Sequence, residues 1–358
     1  MGPDPSGNSK LSLLFIAEPG VPAHRLQKIR ANLDARIVQV YGVSPDLYDS
    51  SEALGINPEG SLDMQVIADI SHKFPHTTAV VCLTEMPRHS GKHPLIAEVN
   101  TTNCLAVISC PTLEGPCPRR RLAQTIMACL ARMDLPTNPG TTPPTRLAWG
   151  TWGKNEHGFS MRARVFTGEL RTITGMVVTN EPLHTAPRLS SVLATAAATG
   201  AFGIFYNSIW QMSSTLSTGR LVFVAVMAIA LMVLWLMYNN RLWDRPVSKN
   251  RAWLITLYNV STVVTLLLCV IMLFAALLVF TLVGGLVIIS PEFMEQILGY
   301  EVGFTDYLRI AWLSASMGVI GGGLGSSFDS EEDIRRVTHG QRERQRITEP
   351  EETDEGSA

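Results

Sequence analysis

Apolar and polar positions change rhythm along this chain, and the change divides it in two. Residues 11–17 (LSLLFIA) and 36–43 (RIVQVYGV) are short, β-branched apolar runs that predict strands, and between them residues 22–33 put Leu26, Ile29 and Leu33 on one helical face. A second helix is expected from Ser61 and Asp63, with Leu62, Val66, Ile67 and Ile70 inward and a stop before Pro75. Strands follow at 78–84 (TAVVCLT) and 105–109 (LAVIS), then a helix at 118–133 whose Leu122, Ile126, Cys129 and Leu130 turn inward while Arg119, Arg120 and Arg121 stay out. Strand and helix alternation with right-handed crossovers predicts an open, mainly parallel α/β sheet of about four or five strands over residues 11–135.

The segment 136–144 (PTNPGTTPP) cannot hold regular structure, so residues 136–148 read as a linker. Residues 149–188 form a juxtamembrane segment, in which Leu170, Ile173 and Val177 favour an amphipathic helix on the membrane surface with Arg171 on its polar side. A β-hairpin through 160–178 is the alternative, and Gly168 and Gly175 weaken both.

Beyond that point charge almost vanishes. Residues 189–219, 221–238, 252–291 and 310–328 contain no Asp, Glu, Lys or Arg, which predicts an all-α domain of four transmembrane helices over 189–326, at about 190–210, 221–238, 263–289 and 304–325. The long run is read as an interfacial helix at 251–258, a polar break at Asn259, Ser261 and Thr262, and one tilted span. After it come a charged helix at 327–346, opened by Ser330 and Asp333, and an acidic disordered tail at 347–358; residues 1–10 are expected to be disordered too.

Composition agrees with a membrane protein: charged residues make up 17% of the 358 and hydrophobic ones 46%, against about 25% charged in soluble domains. The net charge of −2 excludes a strongly basic nucleic-acid binder. Arg162, Arg164, Arg171, Arg188, Arg241, Arg245, Lys249, Arg251, Arg335 and Arg336 fall on one side of the expected spans and only Arg220 and Arg309 on the other. The positive-inside rule then predicts a multi-pass plasma-membrane protein with both termini in the cytoplasm. Asp306 and Arg309 are expected to pair at the outer end of the last span.

Candidate chemistry is sparse. The third strand ends at Thr84, Glu85 and Met86, and Arg88, His89, Lys92, His93, Glu98 and Asn103 follow, the densest polar cluster of the domain. Ligands of such sheets bind beyond the carboxyl ends of strands, so Glu85, His89, His93 and Asn103 are the candidate ligand-binding residues. A metal site is the sharper version, since histidines four apart on a helix share one, but Pro87, Gly91 and Pro94 argue for a solvated loop. Cys104, Cys110 and Cys117 match no zinc-module spacing, and none of the dinucleotide, Walker, zinc-protease or nucleophile-elbow fingerprints occurs. No metal, cofactor or catalytic residue is therefore assigned. The opening MGPDPS fits the myristoylation pattern only formally, because Pro3 and Pro5 stiffen it.

Small residues four apart (Ala196 and Gly200, Thr199 and Gly203, Ser314 and Gly318, Gly318 and Gly322) predict close helix approach, within the bundle or in a homo-oligomer. A channel lined by Asn207, Asn259, Ser261 and Thr262 is the other reading of the spans. The expected partners are the lipid bilayer and a protein partner or second copy.

Three stretches, DYLRIAWLSASMGVIGGGLGSSFDSEEDIRR (306–336), LYNVST (257–262) and CLTEMP (82–87), resemble a family of actinobacterial multi-pass membrane proteins. The resemblance covers most of the chain after Leu11 and implies an N-terminal α/β domain followed by transmembrane helices. Some members carry the name of a methylene-tetrahydrofolate dehydrogenase, an activity for which this sequence has neither a dinucleotide fingerprint nor a catalytic lysine on a motif.

Overall fold

In the computed structural model the chain divides into two compact units, one ending at Thr179 and the next beginning at Asn180. The structure describes residues 11–52, 54, 64–74, 76–91, 93–133, 135, 146–180, 190–244 and 252–325. The linker at 136–144, both termini, the charged C-terminal helix, Lys92, Ser61 and Asp63, and Arg188, Arg245, Lys249, Arg251, Arg335 and Arg336 lie outside them.

The first unit is a mixed eight-stranded sheet. Strands β1 (Ser12–Ala17), β2 (Asp46–Ser50), β3 (Ala79–Thr84) and β6 (Leu105–Ser109) run parallel in the order β2-β1-β3-β6. Beyond β6 everything is antiparallel: β5 (His93–Asn100), then β8 (Gly158–Arg162) and β7 (Thr151–Asn155), with the short β4 (Arg88–Ser90) on β5. The sheet is therefore not mainly parallel. Hairpins add the antiparallel half; helical crossovers join β1 to β2 and β2 to β3, while β6 comes to lie parallel to β3 after the intervening β4–β5 hairpin.

Alternation explains the layers. Leu13, Phe15 and Ala17 pack with α1 (Val21–Tyr41) and α3 (Pro118–Leu130) on one face, whereas Leu14 and Ile16 meet Ile67 and Ile70 of α2 (Met64–His72) on the other. Covered on both sides, β1 and β3 are buried at every position, which is why they read as unbroken apolar runs.

The strand expected at 36–43 does not form. Helix α1 continues through it, because Ile37 and Tyr41 extend the stripe of Leu26, Ile29 and Leu33, and the helix stops at left-handed Gly42, whose N–H returns to the Val38 carbonyl. The helix expected in the juxtamembrane segment forms as α4 (Val165–Thr179), while the alternative hairpin through 160–178 does not; a hairpin, β7 with β8, lies earlier in the segment. Helix α4 turns Gly168, Thr172, Gly175, Met176, Val177 and Thr179 inward and leaves Leu170 exposed. A Cβ on Gly175 would collide with the backbone of Pro111, so this glycine lets α4 lie against the 3-10 turn Pro111–Leu113.

Among the described residues the second unit's regular elements are helices: α5 (Ser190–Phe205), α6 (Asn207–Thr215), α7 (Thr218–Asn239), α8 (Ala252–Ile288), α9 (Pro291–Leu298) and α10 (Phe304–Gly325). Helices α7 and α8 are long and apolar enough to cross a membrane, and a third crossing results if α5 and α6, bent by 83° at their junction, are one broken span. The bend has a local anchor, since the Trp210 indole N–H donates to the Gly203 carbonyl (2.9 Å) that the broken helix leaves open. Helix α10 is less apolar than α5, α7 and α8 because it carries Asp306, Arg309 and many Gly and Ser residues.

The expected break in the long apolar run is absent, and α8 is one helix of 37 residues. Two of its polar side chains are satisfied without breaking it: Thr265 donates to the Ser261 carbonyl (2.9 Å) and accepts from Asn180 Nδ2 (2.9 Å), and Asn259 exchanges hydrogen bonds with the Asp244 backbone, whereas the buried Ser261 hydroxyl has no partner among the described residues. Asn207, by contrast, is exposed.

The small residues of α5 and α10 meet each other. A Cβ on Gly318 would stand 2.7 Å from the Ala196 carbonyl oxygen, one on Gly322 would meet Ala196 Cβ at 3.0 Å, and one on Gly203 would overlap Ser314. Of the two expectations for these small residues, close approach within the bundle is the one observed. Asp306 accepts from Tyr300 Oη (2.9 Å) and the Gly303 amide, while Arg309 donates to the Ser214 carbonyl (3.2 Å), so each has a partner other than the expected one.

Candidate functional site

Parallel strands β1, β3 and β6 bring their carboxyl ends to one edge, and each delivers a polar side chain there: Glu18 after β1, Thr84 and Glu85 at the end of β3, Ser109 at the end of β6. All four are buried. The Glu18 carboxylate accepts from Thr84 Oγ1 (3.0 Å) and from the Glu85 amide (2.7 Å), and Thr84 Oγ1 in turn accepts from the Met86 amide (3.1 Å). Ser109 Oγ donates to the Met86 carbonyl (2.7 Å) and lies 3.3 Å from Thr112 Oγ1. These bonds strap three strand ends together. Two charge-assisted contacts are worth more than neutral ones in such a dry place.

Glu85 enters the edge beside the first turn of α1: its Oε2 would lie 3.9 Å from a Cβ on Gly20, the residue before the helix. A carboxylate there faces the positive end of the helix. Arg25 of α1 pairs with Glu114 at 2.5 Å, and Arg121 of α3 donates to the Glu114 carbonyl (2.7 Å), which fixes the turn after β6.

Cys110 sits in the middle of these groups. Burial pushes its thiol up to about 12, with Arg25 opposing the shift and Glu18, Glu85 and Glu114 adding to it. At neutral pH the sulfur stays protonated and is a poor nucleophile.

The candidate residues read from the sequence are dispersed. His89 lies in β4, half-buried, and burial lowers it to about 4, so it is neutral near pH 7. The hairpin register sets His89 opposite Pro94 and His93 opposite Ser90, which places the two histidines on opposite faces, with His93 exposed. This hairpin replaces both the metal-sharing helix and the irregular loop. Asn103 lies beyond the other end of β5, in the turn held by Asn100 Oδ1, and so at the edge remote from Glu85. Arg88 and Glu98, from the same polar cluster, do meet, at 2.5 Å, and Glu98 also accepts from Asn155 (2.8 Å). Among the described residues no group of three or more His, Cys, Asp or Glu side chains is placed to hold a metal.

Sequence reasoning missed Glu18, Arg25, Ser109, Thr112 and Glu114. Glu18 carried a signal that was available, because it follows β1 as Glu85 follows β3. Compared with models of protein families, with curated proteins and with solved structures, the chain gives no match.

Proposed function

We propose that this chain is an integral membrane protein of the plasma membrane, crossing it four times through α5, α7, α8 and α10, with both termini in the cytoplasm. Its α/β unit acts as a binding module for a small polar ligand or partner segment at the edge where Glu85 lies. The observation that carries the reading is the joining, in one chain, of the apolar helices α7 and α8 to a sheet whose parallel strands end in buried Glu18, Thr84, Glu85 and Ser109. A binding role is favoured over catalysis because the Glu18 carboxylate is engaged in strapping strands and the Cys110 thiol is held protonated. His93 and Asn103, on another face and another edge, would serve separate contacts.

Full-length protein in lipid nanodiscs should show a thermal shift with at least one compound in a panel of polar metabolites and divalent metals, and Glu85→Gln should lose it while melting normally without ligand. A shift that survives Glu85→Gln, or none with any compound, overturns the edge as a ligand site. Reporter fusions after Ala358 and within 291–303 should read cytoplasmic and exterior; an exterior C-terminus overturns the four-span topology.

The 83° bend between α5 and α6 supports a second reading, a re-entrant element of a transport path. Solute flux in reconstituted vesicles that Trp210→Ala alters would favour it.

A further inference from the structure

Helix α4 is apolar on its outward face as well as its inward one. Phe166 and Leu170 are 79% and 59% exposed, Val165 and Val178 are exposed beside them, and Ile173 is half-buried. The spacing of Phe166, Leu170 and Ile173 lines them into one stripe. A helix face turned to water ordinarily carries charge, yet the helix has only Glu169 and Arg171, on its two flanks.

The flank that bears Arg171 is crowded with cations. Arg164 precedes it by two helical turns and so lies on the same side, and Arg171 loses basicity through burial and through the nearby guanidiniums of Arg121 and Arg164. Among the described residues none of the three arginines forms an ion pair. Arg121 is held by the Glu114 carbonyl and the Trp149 ring; Arg171 reaches the Trp149 carbonyl (3.5 Å) with one nitrogen and is half-buried, and Arg164 is exposed. An apolar stripe with an uncompensated cationic border matches the boundary between acyl chains and anionic headgroups.

Chain length sets the same surface within reach. From Thr179, where α4 ends, to Ser190, where the apolar α5 begins, the backbone spans at most about 40 Å.

We propose that α4 lies in the headgroup boundary of an anionic leaflet, with Phe166, Leu170 and Ile173 toward the acyl chains and Arg164 and Arg171 against lipid phosphates. The proposal rests on the membrane-embedded reading and adds to it a second, peripheral attachment.

The test uses the full-length protein, with Cys104→Ser and Cys117→Ser, in vesicles of phosphatidylcholine mixed with phosphatidylglycerol. Of the four cysteines that remain, burial keeps Cys82, Cys110 and Cys129 protonated and slow to react and Cys269 is buried, so a spin label goes to Leu170→Cys or, as the aqueous control, to the exposed Lys154→Cys; the unsubstituted background is subtracted. At position 170 collisions with oxygen should exceed those with a water-soluble nickel chelate several-fold relative to position 154. The ratio should fall in phosphatidylcholine alone or with Arg164→Gln and Arg171→Gln together. A label at 170 as open to the chelate as at 154, or one shielded from both reagents because protein covers the stripe, overturns the proposal. Carbonate extraction separates the two levels: protein retained in the membrane with an aqueous label refutes only the α4 contact, whereas protein released from the vesicles refutes the membrane reading as well.

Discussion

Gly318 offers a measurement of how closely α5 and α10 are packed. A methyl group added there would stand 2.7 Å from the Ala196 carbonyl oxygen and 3.2 Å from Leu277 Cδ1. The oxygen belongs to a helix backbone and cannot swing away, so the two helices have to part by about 0.7 Å, a gap that forfeits a quarter to a half of the dispersion energy of each contact it opens. Overpacking of this kind costs about 1–3 kcal/mol, while alanine is the better helix former by about 1 kcal/mol. The two nearly offset for Gly318→Ala, which should lose up to about 2 kcal/mol. In Gly318→Leu the extra atoms have no space and the propensity gain is no larger, so the loss should exceed about 3 kcal/mol. Gly219, in α7, has open space where its Cβ would be, and Gly219→Ala should be neutral or slightly stabilising; Leu231→Ile, at a half-exposed apolar position, should change little. The assay is the folded fraction after heating in detergent, followed by size-exclusion chromatography, with an SDS titration as a check. Equal midpoints for Gly318→Leu and the parent protein would refute the close approach.

Two further outcomes concern the α/β unit. Glu18→Ala leaves the Glu85 amide and Thr84 hydroxyl without their buried acceptor, at about 1–3 kcal/mol for each, whereas Glu18→Gln keeps an acceptor oxygen and should lose less; a melting temperature unchanged by Glu18→Ala would show that the strap carries no load. His89 is lowered to about 4 from an ordinary 6.5, so between those values the unfolded chain binds a proton that the folded chain refuses, and stability should fall as pH drops from 6.5 to 4. Chemical denaturation of His89→Gln across that range should give a shallower dependence than the parent, and an identical slope would rule His89 out as its source.

What could be read from the sequence was set by how strongly each segment is buried. Strands β1, β3 and β6 are covered on both faces and announce themselves as apolar runs, and α3 shows its stripe plainly. The segment DLYDS, which forms β2 at the sheet edge, has no buried residue and no pattern to betray it. Residues 36–43 misled because Ile37, Val38 and Val40 look like a strand by type, yet only the helical period keeps Ile37 and Tyr41 in the core. In α8, Asn259, Ser261 and Thr262 read as a break because free polar groups interrupt a span. Nothing in a one-dimensional pattern reveals that Asp244, many residues earlier, supplies Asn259 with its partner. The candidate edge is inferred from β3 alone, but which side chains line it depends on which strands run parallel, and the His93 and Asn103 positions depend on a hairpin that reverses the chain. Long-range pairing of that kind leaves no local trace.

The continuity of α8 has a geometric side. At 1.5 Å per residue, 37 residues extend about 55 Å, against about 30 Å of hydrocarbon. Even when tilted, the helix has several turns to spare, and its polar end, at Asn259 and Thr265, is clasped by Asp244 and Asn180. Asn180 is the first residue after the α/β unit. Sixteen residues beyond Thr265, still within the same unbroken helix, Thr281 touches the Ala311 carbonyl of α10. One continuous helix therefore joins the Asn180 and Asp244 hydrogen bonds at one end to the α10 contact at the other, with no break between them.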